Sequence, residues 1–492
     1  MSKATISTKG HLIDAHCKYN TGIILESNGS VYDCTLNQTN ISLNSNKFYI
    51  MQIIKINSGC MLFIRYGRIS EVGVISYKHF SSESGAISFF EKQFKAKTGN
   101  NWSDRDNFVK KDGKYNLAEI ELAEISEESD SGGSSDESDS EPELDERVIS
   151  LMNLITNTTY MKNTLVQLEI DTEKMPLGKI SQKQIDDAYE ILNEINENLG
   201  NKSILLKLSS DFYTLIPYSC GRQKPPVINN KKLLGKYINL LNELSQMVYG
   251  SKAVTNLKKS KGNMMKLYED LCTEIIPLDK SDDMYQILVD YLKNSKAPTH
   301  NFKYKVLDIF EINREGERDL YDAYSKKIKN KTLLFHGTRA TNVVSICQNG
   351  LICDLSRVGI NVPITGKMYG LGVYGSNCAS KSIQYCAYDT TDDIACLFIV
   401  EFALGNMLKK KQADVTLSSK NLPKEFHSTW GMGASSFKKY DTYDDGTRIP
   451  SGKLEKISDR SDSSLLYDEF IVYHEEQMNI RYLIKIKIMN DY

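Results

Sequence analysis

The stretch that decides the fold is GLGVYGSNCASKSIQYC, residues 370–386. Gly370, Gly372 and Gly375 satisfy G-x-G-x-x-G, the spacing of a dinucleotide-binding turn. That turn needs an apolar strand directly before it and a βαβ unit around it. Here the preceding PITGKM, residues 363–368, is broken by Pro363 and Gly366, and no such unit follows. The glycines sit instead among separate strand-like runs: KVLDIFEI (305–312), KTLLFHG (331–337), IACLFIVEF (394–402), DEFIVYH (468–474) and IRYLIKIKI (480–488), with short helical stretches between them. The C-terminal region, 262–492, therefore reads as α+β without the regular alternation of a parallel sheet, and a Rossmann hydride-transfer enzyme is set aside.

Upstream the pattern changes twice. Residues 147–258 carry apolar residues at helical period, clearest where Ser181 and Gln184 form a capping box ahead of Ile185, Ala188, Tyr189, Ile191, Leu192 and Ile195. This block reads as all-α. Residues 20–118 read as a small α+β domain, with strands in NKFYIMQIIKI (46–56) and CMLFIRYGRI (60–69). A helix follows in SSESGAISFFEKQFKAKTG (81–99), with Ser81 or Ser82 as N-cap, Ala86, Phe89, Phe90 and Phe94 as its apolar set, and Gly99 as its stop.

Between these two regions, residues 119–146 hold thirteen Asp and Glu and no Lys or Arg. Like-charge repulsion and Gly-Ser flexibility keep such a segment from burying enough surface to order itself, so it reads as a disordered linker. Its serines (126, 129, 131, 134, 135, 138 and 140) stand beside carboxylates in a reachable segment. The chain as a whole has 61 Lys and Arg against 63 Asp and Glu, so without the linker the remainder carries +11. Residues 1–118 alone carry +6. A basic body suits a polyanionic partner. At 492 residues the chain is expected to be multidomain. The N-terminus lacks the apolar core of a secretory signal, and no apolar run is long enough to span a bilayer, so an intracellular, non-membrane protein is expected. Ten cysteines without a C-x-x-C pair read as buried free thiols rather than as a zinc site or disulfide framework.

In order along the chain, the C-terminal stretches resemble the catalytic domain of the poly(ADP-ribose) polymerases. LLFHGTRATN (333–342) is similar to the family's H-G-S/T strand. GLGVYGSNCASKSIQYC is similar to its G-x-G-I-Y-F-A-D…S-K-S-x-x-Y-C block, and SLLYDEFIVYHEEQMNIRYLIKIK (464–487) to its Y-N-E-Y-I-V-Y block. ALGNM (403–407) fits the same series. The helical block resembles the family's regulatory domain through LEIDTEKMPLGKISQKQIDDAYEIL (168–192) and FYTLIPYSCGRQKPPVINN (212–230). Residues 20–118 resemble its WGR domain, with Tyr66-Gly67-Arg68 in the signature place and KTGNNW ending at Trp102. The likeness covers nearly all of residues 20–492.

That resemblance implies an enzyme consuming NAD as substrate, without a metal, and modifying proteins including itself. The family's His-Tyr-Glu triad falls on His336, Tyr374 and Glu469. Glu469 would stabilise the positive charge that builds on the anomeric carbon as the nicotinamide bond breaks. His336 would hold the adenosine ribose, Gly337 and Ser382 the nicotinamide amide, and Tyr374 and Tyr385 would sandwich the nicotinamide ring. Tyr66 would stack on DNA and Arg68 pair with phosphate, coupling DNA ends or nicks to the catalytic domain through the helical block. A nuclear or other DNA-containing compartment follows. Departures from the family's pattern are Leu371 for Lys, Gly375-Ser376-Asn377 for Phe-Ala-Asp, Ile352 for Arg, and Tyr66 for the signature Trp. Two alternatives stay open: a mono-ADP-ribosyltransferase, and a catalytically idle DNA-end adaptor.

Overall fold

The computed structural model describes residues 13–19, 22–118, 144–157, 181–259, 264–353, 368–386, 393–443 and 445–490. Most of the acidic segment, together with Pro363 and Gly366, lies outside them. The chain divides into two compact units, one taking residues up to 130 together with 165–248, the other 131–164 together with 249–492.

The first unit is built on an antiparallel sheet whose central strands are Ser45–Ile56 and Gly59–Arg68, flanked by Asp33–Asn40 on one side and Val74–Phe80 on the other. Both expected strands lie on the central pair, which is why their sequences read as almost unbroken apolar runs: each face is covered. Met51, Ile53 and Leu62 pack under the helix Glu83–Thr98 through Ala86, Phe90 and Phe94. Phe48, Ile50, Ile54 and Phe63 pack under Ile13 and Cys17 of the N-terminal segment. A buried ion pair pins that segment, Arg65 donating from Nε and Nη2 to Asp14 Oδ2 at 3.0 and 2.8 Å. Ser82 is the helix N-cap and accepts the Gly85 N–H, while Gly99 ends the helix at φ 77°, in the left-handed region. Phe89 is half-buried rather than core, and Trp102 fills the base of the helix edge-on to Phe90 and Phe94 at 5.0 and 4.9 Å.

The same unit contains the helices Gln182–Glu197 and Lys202–Leu215 and the greater part of Lys231–Lys259. Ser181 caps the first by accepting the Gln184 N–H at 3.1 Å. The expected capping box does not close: Gln184 Nε2 donates instead to the Leu215 carbonyl at 2.8 Å, joining two helices. Ile185, Ala188, Tyr189, Leu192 and Ile195 are buried as the period requires, and Ile191 is half-buried at the edge of the stripe.

In the second unit the sheet order is Lys439–Thr442, Thr447–Ser451, Lys331–Gly337, Ile394–Ala403, Met478–Asn490, Phe302–Arg314, Thr273–Pro277. Its pairings are antiparallel except between Lys331–Gly337 and Thr447–Ser451. All five strand-like runs of this region lie on strands, four in this sheet and DEFIVYH in a second one. That second sheet orders Val373–Gly375, Glu469–Val472, Ser428–Gly431 and Met407–Lys410. The helix Asp283–Asn294 buries Leu288, Tyr291 and Leu292 against Leu333, Phe335, Leu397 and Ile399, with the Tyr291 ring stacked 4.3 Å from Phe335. The helix Glu146–Ile155, expected within the all-α block, packs in this unit: Lys485 Nζ donates to Ser150 Oγ at 2.8 Å and Arg147 to the Leu278 carbonyl. All ten cysteines are free thiols; eight are buried, while Cys220 is half-buried and Cys272 exposed.

Candidate active site

Four segments cross where the two sheets of the second unit meet. His336 is the last residue but one of Lys331–Gly337, Tyr374 the centre of Val373–Gly375, Ser382 lies on the short helix Ala379–Ile383, and Glu469 opens Glu469–Val472. Phe335 and Ser376 exchange two backbone hydrogen bonds at 2.8 and 3.0 Å, which sets the chain after Tyr374 beside the residue before His336. Tyr374 pairs with Ile471 and Gly375 with Phe470, so the same short strand also borders the start of the Glu469 strand. Register alone therefore brings the three expected triad residues together.

Side chains then tie the crossing. His336 Nδ1 lies 2.9 Å from the Tyr374 carbonyl oxygen, which can only accept, so Nδ1 carries the proton. Ser382 Oγ donates to the Phe335 carbonyl at 3.2 Å. A Cβ on Gly337 would lie 1.8 Å from the Ser382 carbonyl oxygen, so only glycine lets these two backbones touch. Gly370 has a packing reason of the same kind: it sits at φ 72° with its missing Cβ 1.7 Å from the Leu417 carbonyl. The short helix begins at Ala379, not directly after the glycines, so no dinucleotide-type turn forms.

The Tyr374 hydroxyl donates to the Gly370 carbonyl and accepts the Tyr369 N–H, both at 2.9 Å, which fixes its ring. Burial, reinforced by the Glu469 carboxylate, pushes this phenol well above its ordinary value despite the Tyr369 bond. Tyr385 is 56% exposed. Desolvation and then Glu469 push its phenol up as well, so both tyrosines feel that carboxylate.

Glu469 is 8% exposed and pairs with Lys381 Nζ at 2.9 Å. Lys381 also donates to the Tyr467 carbonyl at 2.9 Å. Sequence reasoning quoted the S-K-S run but assigned Lys381 no role. The polar S-K-S run carried no signal for it; in the fold its neighbours Ala379, Ser380, Ser382 and Ile383 are buried, so the ammonium needs a counter-ion. Asp468 was missed too. It is fully buried; burial pushes its carboxyl up, while bonds from Ser436 and Gly433 and the Arg460 charge pull the other way. On the second sheet Trp430 stacks on Phe470 at 5.9 Å, with the Arg460 guanidinium 4.7 Å from its ring.

In the first unit, Tyr66 and Arg68 fare differently. Tyr66 is 41% exposed, its ring stacked on Tyr49 at 5.6 Å. Arg68 is half-buried, and its guanidinium faces inward. Nε donates to the Gly221 carbonyl at 2.7 Å, Nη1 to the Asn44 carbonyl at 2.8 Å, and Nη2 to Asn44 Oδ1 and the Gln223 carbonyl at 3.0 and 2.8 Å. Phosphate pairing would have to displace these bonds. Among the described residues no group of three or more His, Cys, Asp and Glu is arranged to hold a metal ion, and no helix is long and apolar enough to cross a membrane.

Family models match in the order of the expected regions: the WGR domain over residues 32–109, the poly(ADP-ribose) polymerase regulatory domain over 142–269, and the poly(ADP-ribose) polymerase catalytic domain over 282–488. The chain is 34% identical to poly(ADP-ribose) polymerase 1 of Danio rerio over 95% of its own length and 46% of the relative's. It is 32% identical to poly(ADP-ribose) polymerase 2 of Homo sapiens over 96% of its length and 83% of the relative's, and 32% identical to poly(ADP-ribose) polymerase 2-A of Oryza sativa subsp. japonica over 93% and 70%. It thus spans about half the length of the first relatives it matches and most of the length of the second kind. A likeness that runs through all three regions in one order, at about a third identity and over most of the human relative, places the chain in the poly(ADP-ribose) polymerase family.

Proposed function

We propose that this chain is an NAD-dependent protein ADP-ribosyltransferase that releases nicotinamide, builds ADP-ribose chains on itself and other proteins, and is switched on by DNA ends or nicks. The observation that carries this reading is the buried Glu469–Lys381 pair at the crossing of the His336, Tyr374 and Ser382 segments. The bond between the nicotinamide nitrogen and the ribose anomeric carbon breaks with its electron pair leaving on nicotinamide, and positive charge builds on the sugar. A carboxylate held nearly dry and already oriented stabilises that charge better than a solvated one. Lys381 supplies the orientation, its ammonium pairing with the carboxylate at 2.9 Å. Gly337 and Ser382, locked backbone to backbone, offer a fixed edge for the nicotinamide amide. Tyr374 gives a braced ring and Tyr385 an exposed one for stacking on the pyridine. His336, with its proton on Nδ1, presents Nε2 for the adenosine ribose. The acceptor oxygen then bonds to the anomeric carbon, and when it is a ribose hydroxyl its proton passes toward Glu469.

In the DNA-reading part, the exposed ring of Tyr66, backed by Tyr49, is the stacking surface, and Arg68 ties Asn44 to the 221–223 loop. The acidic segment is the site of self-modification. A DNA-containing compartment suits these partners. The direct test incubates the full chain with labelled NAD, with and without nicked DNA, and follows nicotinamide release and the size of the labelled protein. DNA-stimulated release with ladder-like products supports the reading. A single added ADP-ribose points to mono-transfer, and no release under either condition points to an idle adaptor.

A further inference from the structure

Two departures from the family's motifs face each other. The family pattern has Asp where Asn377 stands, and Asn where Asp468 stands, so carboxylate and amide have changed places. In the fold they touch: Asn377 Nδ2 donates to Asp468 Oδ2 at 3.3 Å, both side chains fully buried. The exchange keeps one carboxylate and one amide across the contact but moves the charge onto the residue directly before Glu469.

The surroundings are built for a carboxylate at 468. Oδ1 accepts the Gly433 N–H at 2.7 Å and faces Arg460 Nη1 at 3.5 Å, while Oδ2 also accepts the Ser436 hydroxyl. The Asp468 carbonyl accepts Ser376 Oγ at 2.7 Å, and that hydroxyl oxygen accepts the Cys378 N–H at 3.1 Å. One residue thus gathers the 433–436 segment, Arg460 and the turn leading into the helix that carries Lys381 and Ser382. Two carboxylates at positions 377 and 468 would repel within 3.3 Å in a dry site. Two amides would leave Arg460 facing no carboxylate there.

We propose that Asp468 and Asn377 form a compensated carboxylate–amide pair in which Asp468 is a positioning residue for Glu469, holding the start of its strand against the helix that supplies Lys381. This inference rests on the proposed function for its kinetic readout. The carboxylate at 468 touches neither substrate nor the reacting atoms; it fixes where Glu469 stands.

The experiment measures NAD turnover and thermal midpoints of the full chain for Asn377→Asp, Asp468→Asn, the double exchange Asn377→Asp/Asp468→Asn, and Ser436→Ala, which removes one donor without changing charge. Each single exchange should lower kcat on the order of 10²-fold, as displacement of a reacting group by about 1 Å does, with KM for NAD moving less than about threefold. The double exchange should regain part of kcat and of the thermal midpoint relative to the worse single exchange, short of wild type because Arg460 then faces an amide at 468; Ser436→Ala should lower kcat by roughly three- to tenfold with KM unchanged. If the single variants fail to fold, an active, folded double exchange supports the pair, and an unfolded one overturns it. Single variants with wild-type kcat, or a double exchange no better than the worse single one, overturn it as well. A purely structural role would lower the midpoints and leave kcat of the folded fraction alone. A wild-type chain that releases no nicotinamide sinks the proposed function instead, and the midpoints of the three variants then decide the pairing.

Discussion

Replacing Arg68 by alanine separates two uses of the same guanidinium. Its four hydrogen bonds, at 2.7 to 3.0 Å, run to carbonyl and amide oxygens of Asn44, Gly221 and Gln223. Bonds from a charged donor contribute about 1.5–3 kcal/mol each when buried, but Arg68 is half-exposed and water can replace it. Discounted to about 0.5–0.8 kcal/mol each, the four together give about 2–3 kcal/mol. For a unit of this size that is a fall of roughly 4–12 °C in its melting midpoint. Arg68→Lys keeps the charge but not the planar fork, so it should recover less than half of the loss. The assay pairs thermal melts with DNA affinity measured across a salt series. A phosphate contact removed by Arg68→Ala would flatten the plot of log affinity against log salt by about 0.9, and Lys would largely replace Arg. The bonding seen here predicts the opposite: both variants melt lower and the salt slope stays as in wild type. An unchanged melting midpoint together with a flatter salt slope would refute the reasoning.

Four further outcomes are expected. Glu469→Gln should keep NAD affinity within a few fold and lose on the order of 10²-fold or more in nicotinamide release, since shape persists while charge is lost; wild-type chain length from this variant would contradict the role. Lys381→Ala leaves a nearly dry carboxylate unpaired, which costs about 3–5 kcal/mol in comparable buried pairs, so denaturant melts should show a loss of that order together with a lower kcat; full stability would mean that the pair is hydrated. Gly337→Ala drives a Cβ to within 1.8 Å of the Ser382 carbonyl, and the backbone shift should cost about 1–3 kcal/mol and weaken NAD binding more than turnover; a variant with unaltered KM would exclude close contact there. Burial pushes the Glu317 carboxyl above its ordinary 4.5 against the Ile480 N–H bond and Arg314, so the folded chain holds this proton more tightly than the unfolded one. That contribution is complete below about pH 4.5 and is lost as pH rises through the raised folded value, so urea melts of Glu317→Gln between pH 4.5 and 7 should show a shallower decline than wild type, and an equal decline would contradict it.

Legibility in the sequence followed how local the determining physics is. The helix Glu83–Thr98 was readable to its caps, because an N-cap hydroxyl and a left-handed glycine act within one turn. The strands were readable because covered faces demand apolar runs. The convergence of His336, Tyr374 and Glu469 was legible only through the motif order, since 133 residues separate the first from the last and nothing local states their register. Three things were not readable. Gln184 turns its amide nitrogen to the Leu215 carbonyl of a neighbouring helix, which leaves its Oε1 off the Ser181 N–H that a capping box would use. The inward turn of Arg68 depends on a loop more than 150 residues away. The helix Glu146–Ile155 has an apolar stripe that fits any partner, so its place in the second unit is set by the surface that buries Val148, Leu151, Met152 and Ile155 rather than by its own period.

The chain's two tryptophans fall one to each compact unit. Trp102 is buried edge-on to Phe90 and Phe94, whereas Trp430 is half-buried and lies flat on Phe470, one strand from Glu469; each has a guanidinium over its ring, Arg105 at 4.8 Å and Arg460 at 4.7 Å. The difference in burial separates the emission of the two indoles in wavelength without any label. Trp102→Phe leaves a fluorophore that reports the second unit alone, and Trp430→Phe one that reports the first. Titrating DNA or NAD into this pair of variants reads, unit by unit and in real time, which half of the molecule responds first.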